Sequence, residues 1–181
     1  MTPLAGNVWL ITGVPGAGKT TVARELAGRF PRSAHIEVDL LRDMVASGYA
    51  GPGEPPLAES NAQLALGARN AALLAESFLD AGFTPVIDDV VLRPQFAQYV
   101  AAPPRRPVRL VVLAPPVEVA IERDRERSEK HVAGRFRYLD AELRAQMQGL
   151  GLWLDTSGMT AAETVDEIVR RADEALAAPS A

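Results

Sequence analysis

The sequence predicts a single α/β domain, residues 1–181, built on a five-stranded parallel sheet with helices on both faces. Two observations predict this fold. Five short apolar runs alternate with stretches of helical periodicity along the chain, and such an alternation is typical of right-handed βαβ crossovers, which place their strands in parallel. With 48% hydrophobic and 23% charged residues over 181 positions, the chain also has the composition of a globular protein with one buried core.

The predicted strands are short apolar runs bounded by glycine, proline or charged residues. The first and fourth are the clearest, because "VWLIT" leads into a glycine-rich loop and "VRLVVL" has prolines on both sides. The third run, "TPVIDDVV", contains two adjacent acids. The five predicted strands cover residues 8–12, 34–38, 84–91, 108–113 and 152–156.

The helices are predicted from apolar spacing and from the residues at their ends. In the first helix, Val22, Leu26 and Phe30 fall on one stripe. A long helix rich in Ala and Leu ends before Gly82, and the last helix opens with "TAAE", which has the spacing of a capping box. The predicted helices cover residues 19–30, 40–46, 59–81, 117–131 and a segment from 160 onward, and residues 48–56 are predicted to form a loop.

The composition excludes several classes of protein. The chain has no cysteine, so disulfides, thiolate metal sites and thiol nucleophiles are excluded. A net charge of −4 gives no field that would attract nucleic acid or an anionic membrane, and no apolar run approaches the length of about 18 residues that a membrane span needs. Because the first strand starts near Val8 and leaves no room for a signal peptide, we expect a cytoplasmic protein with neither a membrane nor a nucleic-acid partner.

The segment "GVPGAGKT", residues 13–20, follows the first predicted strand and has the spacing G-x-x-x-x-G-K-[ST]. Glycines let backbone N–H groups converge on a phosphate, and the following helix adds its N-terminal dipole. Lys19 then reaches the β- and γ-phosphates, and the hydroxyl of Thr20 ligates Mg²⁺. A plain turn would leave Lys19 and Thr20 without a role, and the glycine spacing excludes a dinucleotide-binding loop. The sequence therefore predicts a P-loop NTPase fold that binds ATP and Mg²⁺ with Gly13, Val14, Pro15, Gly16, Ala17, Gly18, Lys19, Thr20 and Thr21.

The choice of lysine in this loop is unusual for the chain. Of the 19 basic residues, 17 are Arg, and the other Lys is Lys130. A compact ammonium fits where the wide, planar guanidinium does not, so the use of Lys19 supports a phosphate-binding role.

Motifs outside the loop favour phosphate transfer over hydrolysis. The guanine-binding motif N-K-x-D is absent, and "DTSG" at residues 155–158 comes too late in the chain to be a GTPase switch. A remodelling ATPase usually has a hydrophobic strand ending in Asp-Glu, whereas here the candidate strand ends in Asp88-Asp89 and the chain is too short for a second subdomain. We therefore expect the phosphate to pass to an acceptor rather than to water.

The segment "EVDLLR" supports transfer. It places Asp39 at the carboxyl end of the second strand and Arg42 three residues later, on the same face of a short helix. A carboxylate beside the γ-phosphate can accept the proton of a hydroxyl, and an arginine can hold the moving phosphoryl group or an anionic substrate. The alternative role for Asp39 is a helix N-cap, and the two roles are compatible.

The segments "GVPGAGKT", "VDLLR", "VIDDV" and "IERDRER", in this order, resemble the small P-loop kinases grouped around chloramphenicol phosphotransferase, the zeta toxins and the polynucleotide 5′-kinases. The resemblance covers about residues 8–170 and is strongest to the chloramphenicol phosphotransferase-like branch. It implies an ATP-dependent phosphotransferase that acts on the hydroxyl of a small molecule, an antibiotic or a metabolite. It also implies that Asp39 is the catalytic base and that Lys19 and Thr20 serve phosphate and Mg²⁺.

The same resemblance implies a lid that closes over ATP, at about residues 122–137, with Arg123 and Arg127 as nucleotide ligands and Arg127 in a catalytic role. Independently, these two arginines are four residues apart and share a helix face, and residues 123–137 hold six of the 19 basic residues. Gly134 is a candidate hinge. The alternative is a solvated helix in which the interleaved acids form salt bridges.

The pair Asp88-Asp89 has two candidate roles. One carboxylate would serve Mg²⁺ and the other would face the acceptor, and we assign Asp88 to the metal and Asp89 to the acceptor. The alternative is a turn after the third strand.

The acceptor pocket is expected between residues 47–60 and the stretch after the third strand. Its predicted substrate-binding residues are Asp39, Arg42, Tyr49, Asp89 and Arg93, with Asn61 and Phe96 as further lining. His35 and His131 stand alone in the sequence and are assigned structural or surface positions. Two alternatives to a small-molecule kinase stay open, namely an ATP-binding regulatory or toxin-like protein and a nucleotide or polynucleotide 5′-hydroxyl kinase.

Overall fold

The computed structural model describes residues 4–101, 107–125 and 137–177. Strands and helices alternate along the chain, as predicted. The strands are β1 Val8–Gly13, β2 Ser33–Glu37, β3 Thr84–Asp88, β4 Val108–Leu113, β5 Leu152–Leu154 and β6 Leu176–Ala177. The helices are α1 Lys19–Ala27, α2 Val38–Asp43, α3 Leu57–Asp80, α4 Arg93–Ala101, α5 Val117–Arg125, α6 Arg137–Met147 and α7 Ala161–Arg170, with a 3₁₀ turn at Ala172–Ala175.

The five strands β1 to β5 form one parallel sheet in the order β2-β3-β1-β4-β5. β1 lies at its centre, with Trp9 opposite Val86 of β3 and Val8 opposite Val108 of β4. The predicted parallel α/β sheet is therefore confirmed. β6 adds a sixth strand that runs antiparallel to the start of β4, and its two residues are too few to give a periodic signal in the sequence.

The central strands are buried on both faces, since every residue of β1 and β4 is buried. This burial explains their continuous apolar runs, because helices cover both faces of a parallel sheet. The predicted capping box also forms, with Thr160 and Glu163 bonding each other's backbone N–H groups at the start of α7.

Several element boundaries differ from the prediction. α2 begins two residues before the predicted residue 40, and β3 ends at Asp88 rather than at residue 91. α4 and α6 were not predicted. α4 has Pro94 in its first turn, which is tolerated there but reads in a sequence as a break.

A buried arginine ties the C-terminal segment to the sheet. The side chain of Arg109, on β4, is fully buried and lies over the ring of Trp9, with 5.4 Å from the guanidinium carbon to the ring centre. Its Nη1 donates to the carbonyl of Ala172, and its Nη2 lies 3.7 Å from the carboxylate of Asp173. Burial lowers the pKa of this guanidinium, and the charge of Asp173 partly offsets that effect.

We expect Arg109→Ala to lower the free energy of unfolding by about 2–5 kcal/mol, because it leaves a cavity beside Trp9 and removes the donor to Ala172. Urea denaturation measures this change. Arg109→Met is the matched control, since it keeps an apolar side chain over the ring and removes only the polar contacts. If Arg109→Ala unfolds at the wild-type urea concentration, the arginine does not anchor the C-terminal segment.

None of the helices in residues 4–101, 107–125 and 137–177 combines the length and the apolar content needed to span a lipid bilayer.

Candidate active site

The glycine-rich loop connects the central strand β1 to α1. Gly16 and Gly18 have φ of 82° and 93°, in the left-handed region that glycine tolerates best. α1 starts at Lys19, its N-cap residue Gly18 supplies no side-chain hydrogen bond, and its first turn has no acidic residue. The N–H groups of this turn are therefore available to an anion, as in known phosphate loops.

The loop also packs against two other elements. A Cβ atom on Gly16 would lie 2.0 Å from the carbonyl oxygen of Ala120 in α5, and one on Gly13 would lie 2.5 Å from the carbonyl oxygen of Leu113 at the end of β4. Only glycine permits these close approaches. The shape of the loop is therefore fixed by α5 and β4 as well as by its own sequence.

Lys19 lies across the mouth of this loop. Its Nζ donates to the carbonyl oxygen of Val14 at 3.2 Å. This contact holds the ammonium over the concavity formed by the loop, where the β- and γ-phosphates of a nucleotide bind in P-loop proteins.

A buried carboxylate lies beside the first turn of α1. The Oδ2 of Asp88, at the end of β3, accepts a hydrogen bond of 2.7 Å from the hydroxyl of Thr20. Its Oδ1 lies 2.7 Å from Nε2 of His35 on β2, and the side chain of Asp88 is 4% exposed. Thr20 and Asp88 are thus brought together by two elements that are far apart in the sequence.

His35, which the sequence analysis assigned to a structural or surface position, pairs with the buried carboxylate of Asp88. The register of β2 against β3 brings the two side chains together. His35 lies opposite Val86 of β3, and Asp88 is two residues further along β3 on the same face of the sheet. Strand pairing was not available from the sequence, so the contact could not be predicted.

The pair Thr20 and Asp88 fits Mg²⁺ as a partial ligand set. Among the described residues no group of three or more His, Cys, Asp or Glu side chains forms a metal cage. Mg²⁺ in phosphate-transfer sites is usually held by one or two protein oxygens, with substrate phosphates and water completing the octahedron. A hydroxyl and a carboxylate oxygen 2.7 Å apart, beside the phosphate loop, suit that arrangement.

A second polar cluster joins α2, the end of β3 and α4. Nη1 of Arg42 donates to Oδ1 of Asp89 at 3.2 Å, and Nη2 of Arg42 bonds the carboxylate of Asp39. The other oxygen of Asp89 accepts a hydrogen bond of 2.9 Å from the hydroxyl of Tyr99. The side chain of Asp89 is 1% exposed, whereas that of Asp39 is 67% exposed, so the cluster runs from the core to the surface.

The first turn of α2 settles the capping alternative. The N-cap residue is Glu37, without a side-chain capping bond, and Asp39 is the second residue of the helix. Asp39 is therefore not the N-cap, and its carboxylate is exposed and paired with Arg42.

The electrostatics of Asp89 connect this cluster to the phosphate loop. Burial raises the pKa of Asp89 to about 6, and the charge of Arg42 and the hydrogen bond from Tyr99 limit the rise. The charges of Asp39 and Lys19 also act on this carboxylate. Asp89 thus lies within electrostatic range of both the loop lysine and the exposed carboxylate of α2.

We expect Tyr99→Phe to lower the free energy of unfolding by about 1–3 kcal/mol, because it leaves one oxygen of a buried carboxylate without its donor. Urea denaturation of both proteins tests this. Tyr49→Phe is the control, since the Tyr49 side chain is exposed and its variant should differ from wild type by less than about 0.5 kcal/mol. Equal stability of Tyr99→Phe and wild type would show that the hydrogen bond contributes nothing.

The other predicted acceptor residues are spread over the structure. Tyr49 is exposed in the loop after α2. Burial lowers the pKa of Arg42, but the charges of Asp89 and Asp39 raise it above its usual value, and Tyr49 adds a smaller contribution in the same direction. Asn61 is exposed on α3, and Phe96 is buried in the core. Nε of Arg93 donates to the carbonyl of Gln146, which joins α4 to α6 rather than to the Arg42 cluster.

The predicted lid is described only at its two ends, residues 122–125 and residue 137. Arg123, on α5, donates to the carbonyl of Thr156 at 2.6 Å and to its hydroxyl at 3.3 Å, so it holds the loop that follows β5. Arg127, Gly134 and most of the predicted lid lie outside the described residues, as does His131.

Comparison with known proteins supports this architecture. A family model described as an AAA domain matches residues 8–152. No curated protein sequence matches the chain.

Three solved structures share the fold over nearly their whole lengths. A sugar kinase from Janibacter sp. HTCC2649 is 22% identical with a TM-score of 0.69, and the match covers 93% of this chain and 95% of the other. The tunicamycin resistance protein of Deinococcus radiodurans is 23% identical with a TM-score of 0.65, covering 96% and 99%. The APS kinase CysC of Mycobacterium tuberculosis, solved with AMPPNP and APS, is 18% identical with a TM-score of 0.68, covering 94% and 99%. At these identities the likeness shows a shared P-loop kinase fold.

Proposed function

The chain belongs to the AAA domain family, and from that premise we propose that it is an ATP-dependent kinase that transfers the γ-phosphate to a hydroxyl of a small molecule. One observation carries the proposal. Asp88 accepts a hydrogen bond from Thr20 of the phosphate loop, and the next residue, Asp89, bonds Arg42, which in turn bonds the exposed Asp39. We propose that the nucleotide motif and the acid–arginine motif, which meet at the end of β3, line one cleft, as phosphate transfer between two substrates requires.

In the proposed reaction the phosphates bind to the N–H groups of the glycine-rich loop and of the first turn of α1. Lys19 places its charge against the β- and γ-phosphates, and Thr20 and Asp88 would hold Mg²⁺, which supplies charge neutralisation to the phosphates when bound. The carboxylate of Asp39 accepts the proton of the acceptor hydroxyl. The hydroxyl oxygen then forms a bond to the γ-phosphorus, and the bond from that phosphorus to ADP breaks.

The exposure of Asp39 supports its role as the base. A carboxylate that is 67% exposed can reach a second substrate, whereas the buried Asp89 has both oxygens bonded by Arg42 and Tyr99. We therefore propose that Arg42 and Asp89 hold Asp39 in place and that Tyr49 lines the acceptor side.

We also propose that Arg123 and Arg127 bind the nucleotide and that residues 122–137 form a lid. The contact of Arg123 with the loop after β5 places α5 beside both that loop and the phosphate loop, through Ala120. A segment that starts there can close over a bound nucleotide and exclude water. We further propose that the kinase belongs to the chloramphenicol phosphotransferase-like branch, which its motifs resemble.

Incubation with ATP, Mg²⁺ and a panel of hydroxyl-bearing metabolites and antibiotics tests the proposal. We expect one compound class to gain the mass of one phosphoryl group, with equal release of ADP. Tight binding of ATP, together with turnover that stays at background for every compound, would instead indicate an ATP-binding regulatory protein.

A further inference from the structure

The segment that we propose to bind the acceptor is acidic. From residue 38 to residue 68, a stretch that comprises α2, the following loop and the first half of α3, the chain has one basic side chain, Arg42. The same stretch has four acidic side chains, which are Asp39, Asp43, Glu54 and Glu59. We call residues 38–68 the acceptor segment.

The single arginine of the acceptor segment is already neutralised. Its guanidinium bonds two carboxylates, those of Asp39 and Asp89, and its side chain is only 10% exposed. A Cβ atom placed on Gly67 of α3 would lie 3.3 Å from Cγ of Arg42, so the stem of the arginine is also held in place. Arg42 and its two carboxylate partners together carry a net negative charge.

Other cations described around the cleft have different partners. Lys19 lies over the phosphate loop, and Arg93 is bonded to the carbonyl of Gln146 on α6. Arg42, the basic residue of the acceptor segment itself, therefore already bonds two carboxylates. An anionic group bound here would meet like charge and lose its hydration, and like charges brought together cost binding energy.

We propose that the acceptor is an uncharged or amine-bearing hydroxyl compound, and that the acceptor segment rejects carboxylate, phosphate and sulfate groups. This inference rests on the proposed kinase function. The acceptor segment would discriminate by placing negative charge against anionic ligands, rather than by making new favourable contacts with the correct one.

Compounds that share a carbon skeleton and differ in one neutral, acidic or amino substituent test this inference. Two triplets serve as probes: glucose, glucuronate and glucosamine, and tyrosol, 4-hydroxyphenylacetate and tyramine. Binding to the protein saturated with AMPPNP and Mg²⁺ is measured by ligand-observed NMR, and transfer from ATP is measured by mass. We expect the acid of a triplet to bind at least about tenfold more weakly than its neutral or amine member. An acid that binds or is phosphorylated as well as its neutral partner would overturn the inference.

Two variants locate the source of the selection. Asp89→Asn removes one of the two carboxylates on Arg42 and should raise the relative affinity for the acid members several-fold. Asp43→Asn, which removes an exposed charge of the same helix, should change this ratio less. Selection against acids in binding, without transfer to any compound, would contradict the kinase proposal and support the inference. Transfer that favours an acid would support the kinase proposal and overturn the inference about charge.

Discussion

Replacement of Lys19 by alanine is expected to reduce phosphate transfer by at least about 10³-fold in a protein that remains folded. The ammonium is the side-chain charge that the loop directs at the β- and γ-phosphates, and charge at the transferring group is the main source of rate in phosphate transfer. The substitution should also weaken ATP binding. Steady-state kinetics and calorimetric titration with ATP and Mg²⁺ measure the two effects.

Two controls separate position from charge. Lys19→Arg retains the charge, but its planar guanidinium is too wide for the space occupied by the ammonium, so we expect a loss that approaches that of Lys19→Ala. Arg24→Ala removes a cation from the exposed side of the same helix and should leave the rate within about twofold of wild type. An unchanged rate and ATP affinity in folded Lys19→Ala would contradict the nucleotide site itself.

The second large effect is expected for Asp39→Asn. The amide keeps the size of the side chain and can still accept a hydrogen bond from Arg42, but it cannot accept the proton of an acceptor hydroxyl. Transfer should therefore fall by about 10²–10⁴-fold while ATP binding remains close to wild type. The comparison of kcat with the dissociation constant for ATP measures this separation.

Asp43→Asn is the matched control for Asp39→Asn, since it removes an exposed carboxylate from the same short helix. It should leave kcat within about twofold of wild type. If Asp39→Asn transfers at the normal rate and only Asp39→Ala changes stability, then Asp39 has a structural role through Arg42 and is not the base.

The phosphate loop could be predicted from the sequence because its chemistry is local. Its eight residues, Gly13 to Thr20, are consecutive along the chain, and their spacing specifies both the turn and the start of the helix. The parallel sheet could be predicted for a similar reason, since apolar runs buried on both faces, such as β1 and β4, are recognisable without knowledge of their partners.

The contacts between distant elements could not be predicted. Tyr99 bonds Asp89 from α4, a helix that the sequence did not predict, and His35 meets Asp88 only because β2 and β3 pair in one register. Arg109 is the one charged residue of the apolar run "VRLVVL", and its buried contacts are with Ala172 and Trp9, which lie in other segments. Each of these contacts depends on how two segments pair, and the periodicity within one segment carries no information about its partner.

The pairing of β1 with β4 delays the completion of the phosphate loop while the chain is being synthesised. Residue 8 lies opposite residue 108, and the glycine-rich loop is confined by the carbonyl oxygens of Leu113 and Ala120. A ribosome that adds about 5–20 residues per second needs roughly 5–20 s to travel from the loop to these partners. During that interval the nascent loop lacks the strand and the helix that shape it, so nucleotide can stabilise the chain only late in synthesis, after most of the sheet has emerged.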